Sequence, residues 1–207
     1  VPPTTPMIFD IAAAQFLYGP SAYNSGSTTY SVNKGSGAIT DRVSGGGDTI
    51  YGRVVTLWDS GGSDTLTAAS DVAGAYRIDL REGFESITYD GNGEITALNN
   101  QYYSKIGQSL VFLAYHSNIE AAKGNDGADS IIGNDSQAGD SVHGYQAFSG
   151  ANILDGGGGA DTIWGNGGDD TIIGGTGADS LIGGADKDSF TYKSMSESTS
   201  ISRDTIT

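Results

Sequence analysis

The sequence predicts an all-β protein whose last third is a β-solenoid of short parallel strands, preceded by a β-sandwich-like segment and one short N-terminal helix. Three observations carry this. Glycine supplies 33 of the 207 residues, about twice its usual share, with no collagen period and only four prolines. Large apolar residues nevertheless recur at fixed intervals, so the chain has the means to pack. The acid is also concentrated: from Lys123 to Thr191 there are eleven Asp, no Glu, two Lys and no Arg.

The elements follow in order. Residues 1–20 read as a helix, with Ile8, Ile11, Ala12, Gln15 and Phe16 at helical spacing and Gly19-Pro20 as the stop. Residues 21–122 read as a β-rich segment. Runs such as Thr28–Val32, Ile50–Trp58, Ala75–Leu80 and Ser109–Tyr115 lie between Gly/Asn/Asp turns. Residues 123–191 are a repeat of nine-residue period, and 192–207 form an exit from it.

Four rows of the repeat are consecutive, beginning at Gly156, Gly165, Gly174 and Gly183. They fit G-G-x-G-x-D-x-U-x, with Asn166 in second place of the second row, and U is large and apolar: Ile163, Ile172, Leu181 and Phe190. The last row departs at Asp186, where Gly is expected. An earlier row, Gly124 to Ile132, fits with Asn125 in second place and Ile131 as U. The stretch 133–155 is degenerate and reads as two rows with insertions.

Six residues of each row make a turn and three make a strand. Glycine opens backbone angles closed to other residues, so carbonyl oxygens can point inward. The short Asp arm in sixth place adds a carboxylate oxygen to a tight turn. Dense hard-oxygen ligands suit Ca²⁺, which takes six to eight of them in flexible geometry. Zinc wants His or Cys, and the repeat has almost none.

Candidate calcium ligands are therefore Asn125, Gly127 and Asp129; Asn134, Ser136, Asp140 and Asn152 in the degenerate stretch; and four regular sets. These are Gly156, Gly157, Gly159 and Asp161; Gly165, Asn166, Gly168 and Asp170; Gly174, Gly175, Gly177 and Asp179; and Gly183, Gly184 and Asp188. Strands should alternate between two sheets, so each ion joins row n to row n+2. One buried side chain per nine residues does not offset the backbone entropy of ordering them. The repeat is expected to fold only with its ions, which also relieve carboxylate repulsion.

Composition narrows function further. A net charge of −15 repels nucleic acid and anionic membranes. There is no Cys, which removes disulfides and thiolate chemistry and leaves metal as the staple for an extracellular chain. No apolar run is long enough to cross a membrane as a helix, and no leader is apparent at Val1-Pro2-Pro3. The chain reads as a fragment with its targeting signals elsewhere. There is no G-x-S-x-G elbow and no phosphate loop with Lys. The two histidines, His116 and His143, read as surface or internally satisfied residues.

Rows 124–191 resemble the parallel β-roll of repeat-in-toxin (RTX) proteins. Pro6-Met7-Ile8-Phe9-Asp10-Ile11-Ala12-Ala13-Ala14-Gln15-Phe16-Leu17-Tyr18-Gly19 resembles the segment after the Met-turn in serralysin-type zinc metalloproteases of the metzincin class. Trp58-Asp59-Ser60-Gly61-Gly62-Ser63-Asp64-Thr65-Leu66 resembles that family's W-D-x-G-G-x-D-T-L stretch. Thr191-Tyr192, Ser196-Glu197-Ser198 and Arg203-Asp204-Thr205-Ile206 resemble its exit from the roll. The resemblance implies two calcium sites before the repeat. Backbone oxygens of Asn24, Gly26 and Thr28 would join Asp59, Gly61 and Asp64 at one ion. Gly62 and Asp64, with Asn118 and Glu120, would hold the second. Asn24 stands where Arg is usual, and Asn118 where Thr is usual.

The resemblance further implies that residues 1–20 are left over from the end of a catalytic domain lying upstream, and that the exit at 192–207 is truncated. The chain itself lacks the H-E-x-x-H zinc motif, so no catalysis is expected of it alone, and zinc belongs to the missing catalytic part of a parent metalloendopeptidase. The implied role is a secreted, calcium-binding C-terminal module. It would pass the type I secretion machinery unfolded, fold outside the cell on calcium, and brace its own catalytic domain. Two alternatives remain: an active zinc metalloendopeptidase whose catalytic part is another chain, and a surface- or glycan-binding RTX β-roll.

Overall fold

The computed structural model describes residues 26–33, 38–43, 49–51, 54–57, 59, 61–68, 75–81, 85–87, 110–113, 117–137 and 147–207. The helix expected over 1–20, together with Asn24, Trp58, His116, Asp140 and His143, lies outside them. Among the described residues every regular element is a strand: β1 (Thr28–Asn33), β2 (Ala38–Val43), β3 (Thr49–Tyr51), β4 (Val54–Leu57), β5 (Thr65–Ala68), β6 (Arg77–Asp79), β7 (Glu85–Ile87), β8 (Leu110–Leu113), β9 (Ala121–Lys123), β10 (Ser130–Ile132), β11 (Ile153–Gly158), β12 (Thr162–Gly167), β13 (Thr171–Thr176), β14 (Ser180–Ala185), β15 (Ser189–Phe190) and β16 (Thr205–Ile206).

Two sheets form the roll. One has the order β15-β13-β11-β9-β5-β1-β2-β3, the other β16-β14-β12-β10-β6. From β9 onward successive strands fall in alternate sheets, and neighbours within a sheet are parallel. Ile153 pairs with Thr171 and Thr162 with Ser180, so one coil takes two rows, as the repeat predicts. A third sheet, β4-β8-β7, is hydrogen-bonded to neither of these two, though its Leu57 and Leu113 join their core. The run read as Ile50–Trp58 divides between β3 and β4, in different sheets.

Period-two alternation sends each U residue inward. In the first sheet Tyr30, Leu66, Ala122, Leu154, Ile172 and Phe190 stack in register. In the second, Ile78, Ile131, Ile163, Leu181 and Ile206 do so. All but the last of each stack are buried, Phe190 packing partly against the core and Ile206 lying exposed at the end. Four early strands, β1, β5, β6 and β9, therefore belong to the roll's own stacks, and its sheets run without a break into the segment before residue 123.

The degenerate stretch resolves differently from its sequence reading. β9 pairs directly with β11, and β10 with β12, so residues 133–155 form one row, not two. Its strand is Ile153-Leu154-Asp155, in phase with the next row at Gly156. A Gln137–Phe148 antiparallel bridge draws the two described parts of this long row together.

The turns use left-handed backbone at second and fourth places: Gly157 and Gly159, Asn166 and Gly168, Gly175 and Gly177, Gly184 and Asp186. Asn166 at φ 75° and Asp186 at φ 77° are the residue types that tolerate this region best after glycine. The departure at Asp186 is thus conformationally conservative.

Candidate metal centre

Each sixth-place residue stacks on its equivalent one coil away. On one edge the backbone N–H of Tyr76 donates to Asp129 Oδ1 at 2.6 Å, Asp129 N–H to Asp161 Oδ1 at 2.7 Å, Asp161 N–H to Asp179 Oδ1 at 2.9 Å, and Asp179 N–H to Asp204 Oδ1 at 3.0 Å. On the other edge Thr28 N–H donates to Asp64 Oδ1 at 2.7 Å and Asp64 N–H to Glu120 Oε2 at 2.7 Å. The series resumes with Asn152 N–H to Asp170 Oδ1 at 2.8 Å and Asp170 N–H to Asp188 Oδ1 at 3.2 Å. One oxygen of each carboxylate is thereby committed to the backbone.

The second oxygen is not. Oδ2 of Asp64, Asp161, Asp170, Asp179 and Asp204 is buried with no hydrogen-bond partner, a state that costs free energy unless a cation is supplied. Three of these oxygens, those of Asp161, Asp170 and Asp179, lie against the first glycine of their row. A methyl group added to Gly156 would meet Asp161 Oδ2 and the carbonyl oxygen of Gly174; one added to Gly165 would meet Asp170 Oδ2 and the carbonyl of Gly183. At Gly124 the corresponding atoms are Asp129 Oδ2, which here also accepts from Asn125 N–H at 2.7 Å, and the Gly156 carbonyl. The first glycine of a row thus leaves room beside a carboxylate oxygen and a carbonyl oxygen from row n+2. Hard, negatively charged, partnerless oxygens in such a gap fit calcium. Among the described residues no three His, Cys, Asp or Glu side chains converge on one point.

The electrostatics agree. Burial, opposed only in part by the backbone donors, raises Asp161 to about 8, with Asp129, Asp179 and Asp155 adding repulsion. Burial also raises Asp129 and Asp170 to about 6, and lifts Asp179, aided by Asp204 and Glu197. Asp64 rises to about 7, from burial first and then repulsion by Asp59 and Glu120. Glu120 is raised chiefly by burial.

The sites implied before the repeat are partly assembled. Asp59 is fully buried and accepts from the Tyr30 hydroxyl at 2.7 Å. Gly61 N–H donates to Asp59 Oδ1 at 3.2 Å. A methyl group on Gly62 would strike the Gly26 carbonyl, so those two turns are stacked, and Thr28 sits above Asp64 through its N–H. Asn118 lies in the segment 117–120 that leads into β9, with Glu120. Asn125 closes its own turn, its Oδ1 accepting from Gly127 N–H at 2.8 Å. In the degenerate row, Asn134 and Asn152 bond to each other, and Ser136 is exposed beside them.

Sequence reasoning missed Asp204 as a sixth-place residue. It was assigned to the exit, yet β16 stacks on β14 with Leu181 opposite Ile206. The available signal was an Asp two residues before an apolar residue, without the glycines that flagged other rows. Glu197, buried near Asp179, carried no such signal.

Parallel coils, a nine-residue turn-and-strand unit and buried carboxylate ladders define an RTX calcium-binding repeat region. Residues 119–137, 146–181 and 164–192 match the RTX calcium-binding nonapeptide repeat. The chain is also similar to two curated relatives. It is 32% identical over 136 residues to Serralysin of Proteus mirabilis, covering 63% of this chain and 23% of that protein. It is 35% identical over 133 residues to Metallopeptidase AprA of Pseudomonas marginalis, covering 62% of this chain and 23% of that protein. The chain thus matches under a quarter of the length of these curated relatives.

Proposed function

We propose that this chain is the calcium-dependent folding module of a secreted metalloprotease, holding ions between turns one coil apart. The observation that carries the reading is the set of buried Oδ2 atoms without partners, of which those of Asp161 and Asp170 face a glycine carbonyl across a gap of repeated geometry. Asp161, Asp170, Asp179 and Asp188, with carbonyls of the first glycines, are the residues that hold the ions of the regular rows. Asp204 extends that set. Asp59, Asp64 and Glu120 with the Gly26 and Gly62 turns hold those before the repeat.

Bound calcium supplies positive charge where carboxylates would otherwise repel. In the low-calcium cytoplasm the module stays unfolded and competent for a type I secretion channel. Outside the cell, sites with Kd on the order of 10⁻⁴–10⁻³ M, as in other extracellular modules, fill and drive folding. The folded roll then braces a catalytic domain whose zinc site lies outside this sequence.

Circular dichroism during a calcium titration tests the core of this. A cooperative gain of β signal with calcium is expected, and a full β spectrum in excess chelator would sink the proposal. A zinc-dependent caseinase assay on this chain alone should give no activity.

A further inference from the structure

One rung differs from the others in its chemistry. Where regular rows place Asp, the long row places Asn152, 2% exposed, opposite Asn134, 3% exposed. Asn134 N–H donates to Asn152 Oδ1 at 2.9 Å, and Asn152 Nδ2 donates to Asn134 Oδ1 at 2.8 Å. Asn134 Nδ2 reaches the Ile119 carbonyl at 3.2 Å, and Asn166 Nδ2 the Gly133 carbonyl at 2.6 Å. The Asn134–Asn152 pair thus holds the two described parts of this row together, and the Asn134 and Asn166 amides tie it to the coils on either side.

The gap at Gly133 has the same shape as those at Gly156 and Gly165. A methyl group there would meet the Gly165 carbonyl and Asn152 Oδ1. The oxygen is in place but carries no charge. Asp135, the acid of this turn among the described residues, is exposed, and its Oδ1 lies against Gly167 rather than Gly133. Calcium affinity is set in large part by the number of charged ligands. A neutral oxygen already accepting a hydrogen bond holds the ion less tightly than a partnerless carboxylate oxygen.

We propose that the Gly133 rung is the weakest calcium site of the ladder, filled last, its turns held meanwhile by the Asn134–Asn152 amide pair. This rests on the calcium-ladder reading above. It makes this rung a buffered joint: both side-chain oxygens of its amide pair have partners before the ion arrives, whereas Oδ2 of Asp161 and of Asp170 gains none without theirs.

The test is stepwise calcium binding to the full chain, measured by competition with a chromophoric chelator, for the native protein, Asn152→Asp and Asp161→Asn. In Asn152→Asp the weakest step is expected to tighten by about tenfold or more, with the stronger steps unmoved. An unchanged weakest step, or tightening of a different one, overturns the proposal while leaving the ladder intact. No calcium binding by the native chain would instead overturn the ladder itself. Should Asn152→Asp fail to fold, native crystals at graded calcium decide. The anomalous peak at Gly133 should be the last to appear, and its appearance with or before the Gly156 peak overturns the proposal.

Discussion

The backbone N–H of Asp161 donates to Oδ1 of Asp179 at 2.9 Å, so the carboxylate whose Oδ2 faces the Gly174 gap also fixes the turn one coil earlier. Asp161, Asp170 and Asp179 thereby have two separable duties. One oxygen satisfies a buried backbone donor, and the other is left for a cation.

Substitutions at Asp161 separate these duties. Asp161→Asn can keep the Asp129 N–H bond but removes the charge, so it should weaken calcium binding and leave the calcium-saturated fold nearly intact. Asp161→Ala also strands the buried Asp129 N–H, adding about 1–3 kcal/mol of destabilisation at saturating calcium. Denaturant unfolding of both variants in excess calcium checks the difference, and equal stabilities would contradict it.

Two glycines should fail for different reasons. Gly165→Ala puts a methyl group between Asp170 Oδ2 and the Gly183 carbonyl without a left-handed backbone, so one bound ion should be lost by equilibrium dialysis. Gly177→Ala meets the Gly159 carbonyl at φ 144°. It should destabilise the roll by roughly 1–3 kcal/mol through overpacking, with strain of the unfavoured backbone adding to that. Its loss should be read in thermal unfolding at saturating calcium.

Acid and calcium act in opposite directions. With its pKa raised from 3.8 to about 8, folded metal-free Asp161 keeps a proton that the unfolded chain has released. Stability of the metal-free roll therefore falls as pH rises across that window and is relieved below it. Calcium must displace the same proton, so its affinity rises with pH up to about 8 and then levels. Calorimetric titrations in buffers of different ionisation enthalpy should show proton release on binding at pH 6, shrinking toward pH 9. Binding with no proton release at pH 6 would rule this out.

Asp79 gives the roll a staple independent of calcium. It is fully buried and accepts from Arg77 Nη2 at 2.9 Å and from Arg81 Nε and Nη2 at 2.8 and 2.7 Å. Asp79→Ala frees two guanidinium groups that are 24% and 33% exposed and can rehydrate. The expected loss is about 1–3 kcal/mol, the same at every saturating calcium concentration. A loss that vanished as calcium rose would show that the staple is part of the metal machinery.

The sequence alone determined the period, the inward residues Ile131, Ile163, Ile172 and Leu181, and the n to n+2 stacking. All follow from a local rule in which glycine opens a turn, Asp lines it and an apolar residue enters the core. What only the tertiary structure decided lies where that rule is broken but long-range pairing persists. Tyr30, Leu66, Ile78 and Ala122 join the same two stacks because a sheet edge accepts any strand of suitable pleat and register. Asp204 takes a sixth place without its glycines because β14 offers it a partner. Asn134 and Asn152 sit far apart in sequence, within the long row, so their pairing had no local signal. The opening regularity was legible because every row repeats one local solution; its exceptions were settled by contacts between coils.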